Sequence, residues 1–149
     1  MFTLSDRSKS RLEGIEPKLI TITELAIDYT KTDFGVTCGL RTVEEQQELV
    51  DKGASQTMNS KHLDGKAVDV VAYIGSRISW ELNLYDDIAE AFRTAAIEID
   101  TPLRWGAAWH IDDIRDWGGT MEEAMLAYTD LRRRQGRKPF IDAPHFELG

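Results

Sequence analysis

The stretch SKHLDGKAVDVV, Ser60–Val71, decides how this chain is read. Its second half runs on as GKAVDVVAYIG, an apolar segment suited to a buried strand, with Asp69 inside it. A carboxylate buried alone is costly, so Asp69 needs a cation, a set of donors or a metal. Gly65 lets the chain turn and brings His62 back toward Asp69. Asp64 suits the polar corner before that glycine and carries no assigned chemistry. A second histidine closes the chain in DAPHFELG, Asp142–Gly149. If HFEL is a strand, His145 and Glu147 share one face, and Phe146 and Leu148 share the other. His145 can then point into a site while its neighbours pack.

The segments around these two stretches are mixed in type. SRLEGIEPKLITITELAIDYT places Leu12, Ile15, Leu19, Ile22, Leu25, Ala26 and Tyr29 at helical spacing, and Pro17 begins the second of two helical pieces. DFGVTCGL reads as a strand. TVEEQQELVDKG carries a capping box, Thr42 with Glu45, and Gly53 ends its helix. ASQTMNS is a polar loop. NLYDDIAEAFRTAAIEID puts Leu84, Ile88, Phe92, Ala95 and Ile99 on one helical face, which Pro102 stops. LRWGAAW is a short strand candidate. GTMEEAMLAYTDLRRRQG is a helix capped by Thr120 with Glu123 and closed near Gly136. No repeat or linker interrupts the 149 residues, so the expectation is one α+β domain.

Composition removes several function classes. A net charge of −8 argues against a nucleic-acid binder, which needs a basic face. No apolar run approaches the ~20 residues of a membrane helix. The first residues, MFTLSDRSKSRLEG, lack the apolar core of a secretory signal, so the chain is expected to stay in the cytoplasm unless something releases it. A single cysteine, Cys38, excludes an internal disulfide and reads as a small core residue. The run LRRRQGRK, Leu131–Lys138, has two readings: a solvated helix end whose cations complement the helix dipole, or a contact for an anionic envelope polymer.

Two imidazoles, one carboxylate and an open solvent position are what a catalytic zinc site needs. The alternative is a pair of core histidines bonded to backbone or carboxylate. His110, with Asp112 and Asp113, reads as a partly exposed loop histidine ahead of a second metal site. Trp105, Trp109 and Trp117 around it read as packing or as the floor of a substrate groove.

SKHLDGKAVDV resembles the Ser-x-His-x-x-Gly-x-Ala-x-Asp motif of the zinc D,D-peptidase and L-alanyl-D-glutamate peptidase family, which includes single-domain bacteriophage endolysins. DAPHFEL is similar to the family's second motif, with an acid three positions before a ligand histidine. GLRTVEEQ resembles its upstream arginine segment, and LRWGAAW a stretch of the endolysin branch. The resemblance spans roughly Phe34 to Leu148. It implies a small antiparallel sheet with helices packed on it and a zinc cleft. It implies one zinc ion per chain, held by His62, Asp69 and His145, with Asp142 as the catalytic acid/base. Arg41 would meet the substrate's carbonyl or carboxylate, and Ser60 would line the site and orient substrate or a ligand.

Two departures stand out: Ala108 replaces an aspartate common in the endolysin branch, and the segment between Trp109 and Pro139 is longer than in compact relatives. The implied activity is hydrolysis of the L-Ala–D-Glu bond in the peptidoglycan stem peptide, during host lysis. A D-alanyl-D-alanine carboxypeptidase and a non-catalytic peptidoglycan-binding virion domain are the alternatives. The further expectations are a monomer, residues 1–149 as a single catalytic domain without a separate wall-binding domain, no membrane insertion, and a host-cytoplasmic location until holin-type release.

Overall fold

The computed structural model describes residues 2–55 and 57–149. The elements in chain order are α1 (Asp6–Arg11), α2 (Pro17–Tyr29), β1 (Asp33–Cys38), α3 (Val43–Asp51), β2 (Ala67–Ile74), β3 (Arg77–Ser79), α4 (Leu82–Glu98), β4 (Leu103–Trp105), α5 (Met121–Arg134) and β5 (His145–Leu148). Short 3-10 turns cover Lys61–Asp64 and Ile114–Asp116. This is the α+β arrangement with an antiparallel sheet that the sequence implies. Both capping boxes form, at Thr42 with Glu45 and at Thr120 with Glu123, so both helices start where the sequence places them. Pro17 occupies the first turn of α2, where its missing N–H costs nothing. Leu12 and Ile15 lie in the connection between α1 and α2, and both are buried there.

The sheet runs β1-β2-β5-β4, with every pairing antiparallel. The three-residue β3, absent from the sequence reading, pairs with the far end of β2 across the turn at Gly75. Strand β2 is therefore the spine. Its Val68, Val70 and Ala72 face the core, together with Phe146 of β5, and all four are fully buried. Helices α2 and α4 close that side with Leu19, Ile22, Ile88 and Phe92. The Phe92 and Phe146 rings stack at 4.0 Å, and Trp105 continues the stack. Because side chains alternate along a strand, a core of this kind sends Asp69, His145 and Glu147 to the opposite face.

Two local features aim that face. The register between β1 and β2 shifts between Val36 and Cys38, leaving Thr37 as a bulge. At the outer edge of β1, the Val36 N–H donates to Ser8 Oγ at 2.9 Å, and the Val36 carbonyl accepts from Arg11 at 2.9 Å.

Phe146 joins the sheet to α4, so Phe146→Ala is expected to cost about 3–5 kcal/mol. Urea unfolding followed by tryptophan fluorescence measures it. A loss under 1 kcal/mol would mean that the stack is not the centre of the core.

Candidate metal centre

The site is assembled from three segments. The first is the 3-10 turn that carries His62. Ser60 Oγ accepts the His62 N–H at 3.2 Å and starts the turn, and Gly65 ends it with φ 69°. A side chain at Gly65 would come within 2.6 Å of the Gly14 carbonyl, so both the left-handed backbone and the close approach require glycine. The second segment is β2, which presents Asp69. The third is β5, where His145 is the direct cross-strand partner of Asp69. The sheet register thus fixes the Asp69–His145 pair, and the turn adds His62.

Asp69 Oδ1 is the point of convergence. It lies 3.2 Å from His62 Nε2 and 3.0 Å from His145 Nδ1. The outer nitrogens are both anchored: His62 Nδ1 donates to the Gly39 carbonyl at 2.8 Å, and His145 Nε2 to Glu147 Oε1 at 2.8 Å. Backing of this kind fixes a ring's orientation and leaves the other nitrogen for a ligand. His62 Nε2 is fully buried, and although it is close to Asp69 it is not aligned to hydrogen-bond with anything among the described residues. An orphaned imidazole nitrogen beside a carboxylate and a second imidazole suits a metal ion.

Two overlapping clusters have metal-ligand spacing, Cys38–His62–Asp69 and Asp69–Asp142–His145, with Asp69 common to both. The expected trio of His62, Asp69 and His145 does not itself form one such cluster among the described residues; each imidazole instead joins Asp69 in a separate cluster.

Electrostatics follow from this packing. Burial opposes charge on each imidazole, but the Asp69 carboxylate beside both rings, with help from Cys38 at His62 and Glu147 at His145, outweighs it. His62 is pushed up to about 10 and His145 up to about 9. Burial would raise Asp69, yet the two imidazoles hold it below the usual carboxylate range. Asp142 is shifted the other way: burial, reinforced by the Asp69 charge, raises it.

Arg41, Ser60, His62, Asp69, Asp142 and His145 all line one cleft of 630 Å³. Asp142 is held by a tight turn: its N–H donates to the Gly106 carbonyl at 2.8 Å, and its carbonyl accepts the His145 N–H at 3.0 Å. A Cβ at Gly106 would sit 2.2 Å from the Asp142 carbonyl, so only glycine lets the two strands close there. Ser60 acts on the backbone of the turn. Arg41 reaches Asp69 Oδ2 at 3.5 Å and is largely buried.

The model of the phage L-alanyl-D-glutamate peptidase family matches residues 1–149. The chain belongs to that family. An L-alanyl-D-glutamate peptidase of Escherichia phage T5 is 30% identical over 113 residues, covering 73% of this chain and 82% of that protein. One of Listeria phage A118 is 37% identical over 70 residues, covering 47% of this chain and 24% of that longer protein. Among solved structures, the Serratia marcescens L-Ala D-Glu endopeptidase ChiX superposes with a TM-score of 0.71 at 35% identity, covering 97% of this chain and 87% of its own. The vancomycin-resistance D,D-dipeptidase VanXYg shares the fold, with a TM-score of 0.53 at 16% identity over 90% of this chain and half of its own.

Several residues of this family member take parts that the sequence did not reveal. Gln46 is fully buried on a helix that is otherwise exposed or half-buried. Its Oε1 accepts from Arg41 at 2.6 Å, and its Nε2 donates to Ser55 Oγ and to the Thr57 carbonyl. The amide thereby ties Arg41 to the loop that forms one lip of the cleft. The expectation for Cys38 is corrected: it is half-buried rather than core, with Sγ 3.3 Å from Arg41 and 3.9 Å from His62 Nδ1. The bulge at Thr37 turns it onto the Asp69 side. Burial works against its thiolate, but the His62 hydrogen bond lowers the pKa overall.

Of Trp105, Trp109 and Trp117, only Trp109 lines the cleft. Trp105 is fully buried and donates to the Ala143 carbonyl, and Trp117 donates to the Thr120 carbonyl. His110 packs between Tyr128 and Trp117, while Asp113 is engaged by Arg115.

Two outcomes are expected. Gln46→Leu removes one hydrogen-bond partner from Arg41 and one from the Thr57 carbonyl. It should cost about 1–3 kcal/mol in unfolding experiments and lower turnover by up to about 10²-fold through misplacement of Arg41. The second concerns protons. In the metal-free protein both imidazoles have raised pKa values, so their contribution to stability is complete below about pH 6.5 and is lost as pH climbs through 9 to 10. A metal must displace those protons, so zinc binding at pH 7 should release about two, and affinity should rise with pH. Calorimetry in buffers of different ionisation enthalpy counts them, and no release would remove the histidines from the ligand set.

Proposed function

We propose that this chain is a zinc-dependent peptidoglycan endopeptidase that hydrolyses the L-Ala–D-Glu bond of the stem peptide. The observation that carries this reading is the convergence of two anchored imidazoles on Asp69, with Asp142 in the same cleft. His62 Nε2, Asp69 and His145 Nδ1 would hold one zinc ion. Bound zinc supplies Lewis-acid polarisation of the scissile carbonyl and acidifies a water.

The protein's own groups supply the rest. Asp142, raised by burial, is suited to taking a proton from the attacking water and passing it to the departing D-Glu amine. The C–N bond breaks, leaving a new L-Ala carboxylate and a free D-Glu amino group. Arg41 places its positive charge 3.5 Å from Asp69 Oδ2 in the cleft lining, where it favours an anionic substrate group or a developing oxyanion. Glu147 orients His145. Ser60 holds the His62 turn and so positions a ligand. Trp109 and Phe140, whose rings lie 6.5 Å apart, wall one side of the cleft.

The family's phage membership supports a lytic role. In that role the chain works as a monomer, waiting in the host cytoplasm until a holin-type lesion opens the way to the wall. No helix among the described residues is long and apolar enough to cross a membrane.

Mass spectrometry of muropeptides after digestion should reveal a free amino group on D-Glu. Release of D-Ala alone would assign the chain to the carboxypeptidase branch, and intact muropeptides would favour the binding-domain reading. Asp142→Asn should keep fold and zinc while kcat falls by about 10²–10⁴, with KM less affected. Glu147→Gln, assayed beside it, should weaken zinc retention more than proton transfer. Near-full turnover in Asp142→Asn with a dead Glu147→Gln would move the proton carrier to Glu147.

A further inference from the structure

The mechanism leaves one strongly charged surface without a role. Residues 132–138, RRRQGRK, hold five of the chain's 18 Lys and Arg side chains and none of its 26 Asp and Glu. Complementing the helix dipole accounts for Arg132, Arg133 and Arg134, which lie in the last turn of α5. It does not account for Arg137 and Lys138. Those two follow Gly136, whose φ of 70° ends the helix, and they lie outside the helix altogether. Nor is internal pairing the explanation. Arg134 pairs with Asp130, and Arg132 lies over the Tyr128 ring. Arg133, Arg137 and Lys138 are exposed and form no ion pair among the described residues.

The place of this surface relative to the cleft gives it a use. Lys138 is two residues from Phe140, which lines the cleft, so their Cα atoms are at most about 7 Å apart. The segment is also fastened: Tyr128 Oη of α5 donates to the Phe140 carbonyl at 3.3 Å and accepts the Phe140 N–H at 3.2 Å. Two hydrogen bonds therefore tie α5, which ends in the basic run, to the residue that walls the cleft.

We infer that Arg133, Arg137 and Lys138 form a docking surface for carboxylates of polymeric peptidoglycan outside the cleft. The inference rests on the peptidoglycan reading above. In a stem peptide, D-Glu passes the chain on through one carboxyl and keeps the other free, so every strand of the polymer repeats an anionic group. A chain of net charge −8 is repelled by such a polymer as a whole. A local basic rim beside the cleft offsets that repulsion and turns the cleft toward the substrate. A single soluble stem peptide fills the cleft alone and gains nothing from the rim.

The test compares wild type with the triple variant Arg133→Gln, Arg137→Gln, Lys138→Gln. Co-sedimentation with purified sacculi and initial rates on sacculi and on a soluble L-Ala–D-Glu-containing peptide are measured at low and physiological salt. The expected result is a drop of about tenfold or more in sacculus binding and sacculus rate at low salt, with an unchanged melting temperature and unchanged rates on the soluble peptide. Amidation of the sacculus carboxylates should erase the wild-type advantage. Equal sacculus binding by the two proteins would overturn the proposal. So would an advantage that survives amidation, or one that appears only on vesicles of anionic phospholipid. If neither protein cleaves the soluble peptide, the activity reading fails, while the binding comparison still decides the docking surface.

Discussion

The Asp69 carboxylate, embedded in an apolar strand and flanked by two imidazoles, is the constraint on which the rest of the molecule depends. Alone, it would be a severe penalty in the middle of β2. The fold offsets that penalty three ways. Cross-strand register sets His145 directly opposite, the turn closed by Gly65 supplies His62, and Arg41 approaches the second oxygen. Each device comes from a different part of the chain, so the site can exist only once the sheet has closed.

The same arrangement separates two kinds of work across one sheet. The Phe92–Phe146–Trp105 stack holds the strands from below, while the residue on either side of Phe146 in β5 serves the site above. Strand β5 is only four residues long. It therefore carries core and chemistry in strict alternation, and a one-residue slip would exchange them. The tight turn from Asp142 to His145, closed against Gly106, prevents that slip.

Much of this was legible in the sequence, for physical reasons. An aspartate inside an apolar run is conspicuous because burial is expensive, and HFEL shows its two faces directly. Capping boxes announce the starts of α3 and α5. What escaped depends on backbone detail that a residue pattern does not encode. Cys38 reads as core because a lone small cysteine in a strand is usually buried, but the bulge at Thr37 turns it onto the Asp69 side. Gln46 reads as one more polar residue on an exposed helix, since its partners at Ser55 and Thr57 lie in an irregular loop. The three-residue β3 is too short to carry a period. The family resemblance implied the site residues and HFEL already put Glu147 on the face of His145, while Gln46 and the Gly39 carbonyl emerge only from the fold.

The covering of β1 has a consequence of its own. A sheet edge normally offers unpaired backbone groups to any passing strand, and identical molecules at high concentration are the most abundant such partners. On β1, the outward groups of Val36 are already occupied by Ser8 and Arg11 of α1. At the opposite edge, β4 is only three residues long. Covered at Val36 on one side and cut to three residues on the other, the sheet gives a second copy of the chain only a short template for strand pairing.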